Sequence, residues 1–270
     1  LMVPIRLYDS ISFEPVPARN GRPATIEFSL RGGGSADGVP ADSSNLVVRA
    51  LELFRRRSGC DWGAKVELVK RIPSAAGLGG GSSDAAAALH AAKRAWHIDW
   101  EPEKLARLAA ELGSDVPFFL ETGAAICRGR GERVERIAGT VPLDVVIVKP
   151  PTSLATADVY RTLDRLPVGG HSAGGWERYL AALSAALRRG TINNLGDWMG
   201  NRLQAAAAHL SPWIGRAQAV FSEFDFLGHQ LSGSGSAYFG VCRHAQHARR
   251  LAAVLKSRQL GSVYITRSCS

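Results

Sequence analysis

Residues 77–88 read Gly-Leu-Gly-Gly-Gly-Ser-Ser-Asp-Ala-Ala-Ala-Ala, a glycine cluster running straight into the best helix former repeated four times. The first half carries almost no side-chain bulk, so its backbone can take positive φ and lie against a ligand. The second half is committed to helix, with Ser82 or Ser83 as the expected cap. Unpaired N–H groups and the positive end of the helix dipole then converge on one point, which suits a phosphate. Two common phosphate loops are excluded. No Gly-x-x-x-x-Gly-Lys-Ser/Thr occurs, and Gly-x-Gly-x-x-Gly fails because Ser82 stands where the third glycine belongs. Taken alone, a glycine-rich loop is equally well an ordinary turn.

With 270 residues the chain can form one large domain or two ordinary ones, and 46% hydrophobic with 21% charged residues is globular composition. No apolar run approaches bilayer length, and no signal-peptide pattern stands at the start as given, so no membrane partner is expected. Cys60, Cys127, Cys242 and Cys269 are scattered without Cys-x-x-Cys spacing, as in a cytoplasmic protein with reduced thiols. The net charge of +9 comes mostly from arginine, in clusters such as 55–57, 188–189 and 249–250. These clusters lack the interleaved aromatic residues that stack on bases, so they are expected to be solvated helix faces rather than a nucleic-acid surface. Attraction for an anionic nucleotide is compatible with the same charge.

Alternating apolar residues predict strands around Ile11 and Phe13 and again at Ile26, Phe28 and Leu30, joined by residues 15–23. A flexible loop over 32–38, a helix over 45–54 and a strand over 64–71 lead into the glycine loop. Helices follow over 83–96 and 102–112, the second stopped by Gly113. Beyond these come a buried strand at 145–148, a loop at 167–175, and helices over 176–189 and 202–209. The chain closes with a Ser/Gly turn at 232–237, a strand at 238–242, a helix over 245–258 and a strand at 262–267. The fold class is α+β, with a division expected after residues 138–141.

Two more segments carry chemistry. In Gly113-Ser114-Asp115-Val116-Pro117-Phe118-Phe119 an aspartate sits in a turn just past a helix end. It could brace that turn or act as a general base. The other is Ser232-Gly233-Ser234-Gly235-Ser236-Ala237, a flexible turn before a strand. Cys242, His244 and His247 gather possible metal ligands, but no fourth ligand stands at zinc spacing, and no metal site is assigned.

Together these segments resemble the GHMP kinases, the superfamily of galacto-, homoserine, mevalonate and phosphomevalonate kinases. The string Pro73-Ser74-Ala75-Ala76-Gly77-Leu78-Gly79-Gly80-Gly81-Ser82-Ser83-Asp84 is similar to the second signature of that family. The Asp115 segment matches its catalytic-aspartate motif, and Ser232, Gly233, Ser234 and Gly235 match its third, substrate-closing loop. The resemblance implies a two-domain architecture, with mixed sheets covered by helices and an active site in the cleft between domains. Residues 1–140 would form an ATP-binding domain and 141–270 the C-terminal domain. It further implies ATP and Mg²⁺ as cofactors, residues 73–83 holding the phosphates, and Asp115 as catalytic base. Ser44-Asn45-Leu46 looks like a segment that contacts adenosine, making Asn45 a candidate, and Lys70 is expected near the adenine. Asn194 stands where the family has aspartate.

Within the family the resemblance is greatest to the branch acting on a cytidine diphosphate-linked methylerythritol at its 2-hydroxyl, working as a monomer or homodimer in isoprenoid biosynthesis. A kinase for mevalonate, homoserine or a sugar stays open as an alternative. So does a nucleotide-binding protein without catalysis, because the family's first signature, Pro-Ala-Lys followed by Arg-x-Asp-Gly-Tyr-His, has no counterpart. The chain starts at Leu1 rather than methionine, and a truncated start with an uncovered sheet edge and poor activity is expected.

Overall fold

The computed structural model of the chain describes residues 1–19, 22–166 and 173–269. Its first sheet is made of β1 (Ser10–Val16), β2 (Ile26–Arg31) and β3 (Gly63–Val69). The two strands joined through residues 15–23 do not pair with one another. Instead β3 lies between them, antiparallel to β1 and parallel to β2. The cause is burial: Ala64, Val66 and Leu68 of β3 are almost wholly enclosed, whereas β1 and β2 alternate half-buried apolar with exposed polar positions. Such a pattern suits flanking strands.

Two helices, α1 (Leu46–Ser58) and α2 (Gly80–Ala95), cover the inner face, and α3 (Pro102–Leu112) packs against α1. The first runs past the expected residue 54, because Arg55, Arg56 and Arg57 are good helix formers that suit the negative end of the dipole. It ends at Gly59, in the left-handed region with φ 69°. Ala85, Ala88, Leu89 and Ala92 of α2 are completely buried against α1 and the sheet. Phe54 packs on Trp96 and Trp100, with ring centroids 6.0 and 5.0 Å away, and fixes where α2 ends.

A hairpin that the sequence pattern did not announce follows, β4 (Ala125–Arg128) with β5 (Arg133–Arg136). The chain then forms β6 (Asp144–Lys149), α4 (Thr156–Leu163), α5 (Ala173–Arg189), α6 (Leu203–Leu210) and α7 (Pro212–Ser222). It finishes with β7 (Gly228–Leu231), β8 (Tyr238–Cys242), α8 (Ala245–Ser257) and β9 (Ser262–Arg267). Of the loop expected at 167–175, residues 167–172 lie outside the described residues and 173–175 belong to α5.

The second sheet has the order β7-β8-β6-β9, antiparallel throughout. Period-two alternation along β6 divides its side chains between two cores. Val146 and Val148 join Phe221, Tyr238 and Leu255 beneath α4, α6, α7 and α8. Val145 and Ile147 face the other way, with Leu187 of α5, Leu195 and Ala76. Ala76 belongs to the glycine loop, so this second core reaches the first sheet's most informative turn. Among the described residues, no helix is long and apolar enough to cross a membrane.

Candidate active site

The strand β3 delivers the chain into the glycine loop, and α2 starts sooner than expected. Gly79, in the left-handed region at φ 70°, is the cap, and the helix begins at Gly80. Ser82 and Ser83 therefore lie inside the first turn and cap nothing. The Ser83 hydroxyl donates to the Gly80 carbonyl at 2.8 Å. Left-handed geometry at Gly79 turns the chain so sharply that glycine itself supplies the cap. The Ser83 N–H is already donated to Gly79 O at 2.9 Å. The N–H groups of Gly80, Gly81 and Ser82 precede the first intrahelical partner and face outward as donors. A methyl placed on Gly81 would meet no protein atom within 4 Å, so this end of the helix opens onto space.

Two other segments close around that turn. Ser232 Oγ donates to the Gly77 carbonyl at 2.8 Å, and the Ala237 N–H donates to Ala76 O at 3.0 Å. Gly77 fits only because it lacks a Cβ, which would lie 2.1 Å from Ser232 O. On the opposite side, a Cβ on Gly79 would lie 2.7 Å from the ring of Phe119, four residues after Asp115. Residues 72–84, Asp115 and 231–235 thus line one cavity of about 1320 Å³, along with Asn45 and Lys70.

Asp115 opens toward this cavity, yet the protein packed around it strips water from its carboxylate and raises its pKa above the ordinary 3.8. Its turn is held from outside by the unexpected hairpin. Gly131 comes so close that a Cβ there would be 3.4 Å from Asp115 Oδ1. Arg136 of β5 donates to the carbonyls of Phe118 and Gly123, the latter at 2.9 Å, with its guanidinium 5.0 Å from the Phe118 ring centroid. In chemical terms the site presents backbone donors for an anion and one carboxylate suited to take a proton.

The remaining candidates are more deeply engaged. Asn45 is 4% exposed; its Oδ1 accepts from the Val47 N–H at 2.9 Å, and its Nδ2 donates to Pro40 O at 2.7 Å. Lys70 is buried, with its ammonium paired to Asp9 and, at 2.7 Å, to Asp84. Ser234 shares a hydrogen bond with Thr156 at 2.9 Å. His244 caps α8, while His247 is buried against Asp225 at 3.1 Å. Sequence inspection passed over Asp9, Asp84 and Asn201. Asn201 donates to Leu231 O and Gly233 O at 3.0 and 2.7 Å and so fixes the third loop. Asp84 was visible as the first charge after the glycines; nothing in the pattern marked Asn201.

The fold and the convergence of three loops define a phosphotransferase of one class. Residues 45–123 match the GHMP kinases N terminal domain and residues 183–260 the GHMP kinases C terminal, and the chain belongs to the GHMP kinase family. It is 38% identical over 253 residues to the 4-diphosphocytidyl-2-C-methyl-D-erythritol kinase of Pelotomaculum thermopropionicum, spanning 94% of this chain and 83% of that one. The enzyme of the same name from Cutibacterium acnes is 36% identical over 269 residues, 98% of this chain and 83% of the relative. A crystal structure of 4-(cytidine 5'-diphospho)-2C-methyl-D-erythritol kinase superposes with a TM-score of 0.75 at 32% identity, over 99% of this chain and 88% of that chain. Homoserine kinase from Cytophaga hutchinsonii, at 18% identity and the same TM-score of 0.75, shares the fold, over 97% of this chain and 85% of its own.

Proposed function

We propose that this chain transfers the γ-phosphoryl group of ATP to the 2-hydroxyl of 4-(cytidine 5'-diphospho)-2-C-methyl-D-erythritol, in non-mevalonate isoprenoid biosynthesis. The supporting observation is the placement of Asp115 on the same cavity as the outward N–H groups of Gly80, Gly81 and Ser82. Phosphoryl transfer requires mainly positioning and charge neutralisation. The three N–H groups and the α2 dipole receive the phosphate oxygens. Asp115 orients the acceptor hydroxyl and takes its proton, and partial desolvation, which raises its pKa, makes it a stronger base than a fully solvated aspartate. The 232–235 loop, pinned by Asn201 and Ser232, limits how far the reacting groups can drift.

The residues present fit a nucleotide's anionic tail, since the helix end is open and its donors have no helical partners. Among the described residues no cluster of three or more His, Cys, Asp or Glu could hold a metal. A Mg²⁺ ion would be held chiefly by the phosphates and water, with Asp115 among the carboxylates lining the cavity, and would supply charge neutralisation. The same proposal includes a nucleotide domain through residue 140 and a second domain from 141. In support, each sheet has its own core cluster.

The test is Asp115→Asn, assayed with ATP and the cytidine-linked alcohol. ATP binding is expected to persist while turnover falls by about 10²–10⁴-fold. Unimpaired turnover removes Asp115 from the chemistry. Phosphorylation of mevalonate or homoserine in preference to the cytidine-linked alcohol overturns the acceptor.

A further inference from the structure

Beneath the glycine loop lies an ion cluster that the phosphoryl transfer described above does not use. Asp9 precedes β1, Lys70 follows β3, and Asp84 stands in α2 just after its first turn. Their side chains are 3%, 3% and 5% exposed. Lys70 Nζ lies 2.7 Å from Asp84 Oδ2 and also donates to Asp9 Oδ2. The other oxygen of Asp9 accepts the backbone N–H groups of Arg71 and Ile72, at 2.5 and 2.9 Å, the two residues by which the chain enters the loop. The ammonium lies only 3.2 Å from where a Cβ on Gly80 would stand, directly under the first residue of the helix.

Stability is a poor explanation for such a cluster. Ions taken out of water lose hydration, and apolar residues of similar volume often serve as well or better. What the cluster does supply is direction. It ties the end of a sheet strand, the loop entrance and the start of α2 to a single atom. Burial pushes the Asp84 carboxyl up, to about 7, against the pull of Lys70.

We infer that Lys70, gripped by Asp9 and Asp84, is a positioning residue for nucleotide binding: it holds the first turn of α2 so that the N–H groups of Gly80, Gly81 and Ser82 aim at the phosphate tail. This rests on the nucleotide-binding role proposed for the loop. The ammonium touches no phosphate itself; it acts through the backbone of the turn.

Two variants test it, Asp84→Asn and the double variant Lys70→Met with Asp84→Leu. In the double variant Asp9 loses its cationic partner but keeps its two backbone donors, at 2.5 and 2.9 Å. ATP affinity is measured directly by calorimetric titration of the full chain, first unmodified and then for each variant, beside melting temperature and steady-state kinetics. Both variants are expected to fold, with the ATP Kd and the KM for ATP raised about tenfold. That corresponds to the weakening of one charge-assisted hydrogen bond. The KM for the acceptor and kcat at saturating ATP stay within about twofold.

ATP affinity within about twofold of the unmodified chain in either folded variant overturns the inference. A fall in kcat with ATP affinity intact overturns it as well, since the cluster would then act on the chemical step. If neither variant folds, the cluster is a stability element and the positioning role is rejected. Failure of the unmodified chain to bind ATP instead sinks the nucleotide role of the loop, which is a separate result.

Discussion

Replacing Gly77 by alanine should separate the two loops that form the proposed phosphate site. Gly77 has φ 70°, where an L-residue pays about 1 kcal/mol. Its new methyl would stand 2.1 Å from Ser232 O and 2.9 Å from Gly235 N, both main-chain atoms with little freedom to yield. Restoring an ordinary contact of about 3.5 Å requires the loops to part by about 1.4 Å. That movement breaks the Ser232 to Gly77 and Ala237 to Ala76 hydrogen bonds, each worth about 1 kcal/mol. The total is about 3 kcal/mol, or a melting temperature lower by roughly 6–12 °C in a chain of this size. Displacement on the order of an ångström at a reacting site lowers kcat/KM by about 10²-fold. The control is Gly215→Ala in α7, where a Cβ would meet nothing within 4 Å. It should raise stability by about 1 kcal/mol and leave kcat/KM alone. The assays are thermal unfolding by circular dichroism and initial-rate kinetics with ATP. A Gly77→Ala protein with kcat/KM within about threefold of the parent, or a Gly215→Ala protein that falls equally, would refute the reasoning.

The pKa of Asp115 is raised by desolvation, so protonation abolishes the base at a higher pH than for an ordinary aspartate at 3.8. The acid limb of kcat/KM should therefore fall above pH 3.8 and disappear in the residual activity of Asp115→Asn; a limb at or below 3.8 contradicts the burial argument. The stability contribution of this group has the opposite sense, being fully present below 3.8 and lost as pH rises through the folded value. In the core beneath α4, α6, α7 and α8, Phe221 is completely buried with its ring centroid 4.9 Å from Phe226 and 5.0 Å from Tyr238. Phe221→Ala should cost about 3–5 kcal/mol in denaturant titration, while the protein that remains folded binds ATP normally. A cost under about 1 kcal/mol would show that the cavity collapses.

Much of this architecture could be read from residue order because local pattern and tertiary demand coincide there. The strand Ser262–Arg267 is rich in β-branched and aromatic residues, and α8 carries its apolar residues at helical spacing. The Asp115 turn and the Ser/Gly turn are ordinary by composition, and it is the family resemblance that singles them out. Other features resisted for identifiable reasons. β4, Ala-Ile-Cys-Arg, and β5, Arg-Val-Glu-Arg, are only four residues each, and Gly129 and Gly131 between them look like loop. β7, Gly-His-Gln-Leu, is four residues long and carries one aliphatic side chain. The placement of β3 between β1 and β2 is decided by comparative burial, which no single strand displays. Lys70 posed a different problem. The family resemblance suggested a place near the adenine, and only the spatial approach of Asp9, 61 residues distant in the chain, reveals the ion cluster.

The stitching of the glycine turn to the Ser232 segment bears on how the protein matures. The two partners in the Ser232 to Gly77 bond are 155 positions apart. A chain emerging from the ribosome would display the tetraglycine segment long before the carbonyls of Ala76 and Gly77 acquire their donors. The turn then reaches its final form late, once the segment around Ser232 has been synthesised and docked.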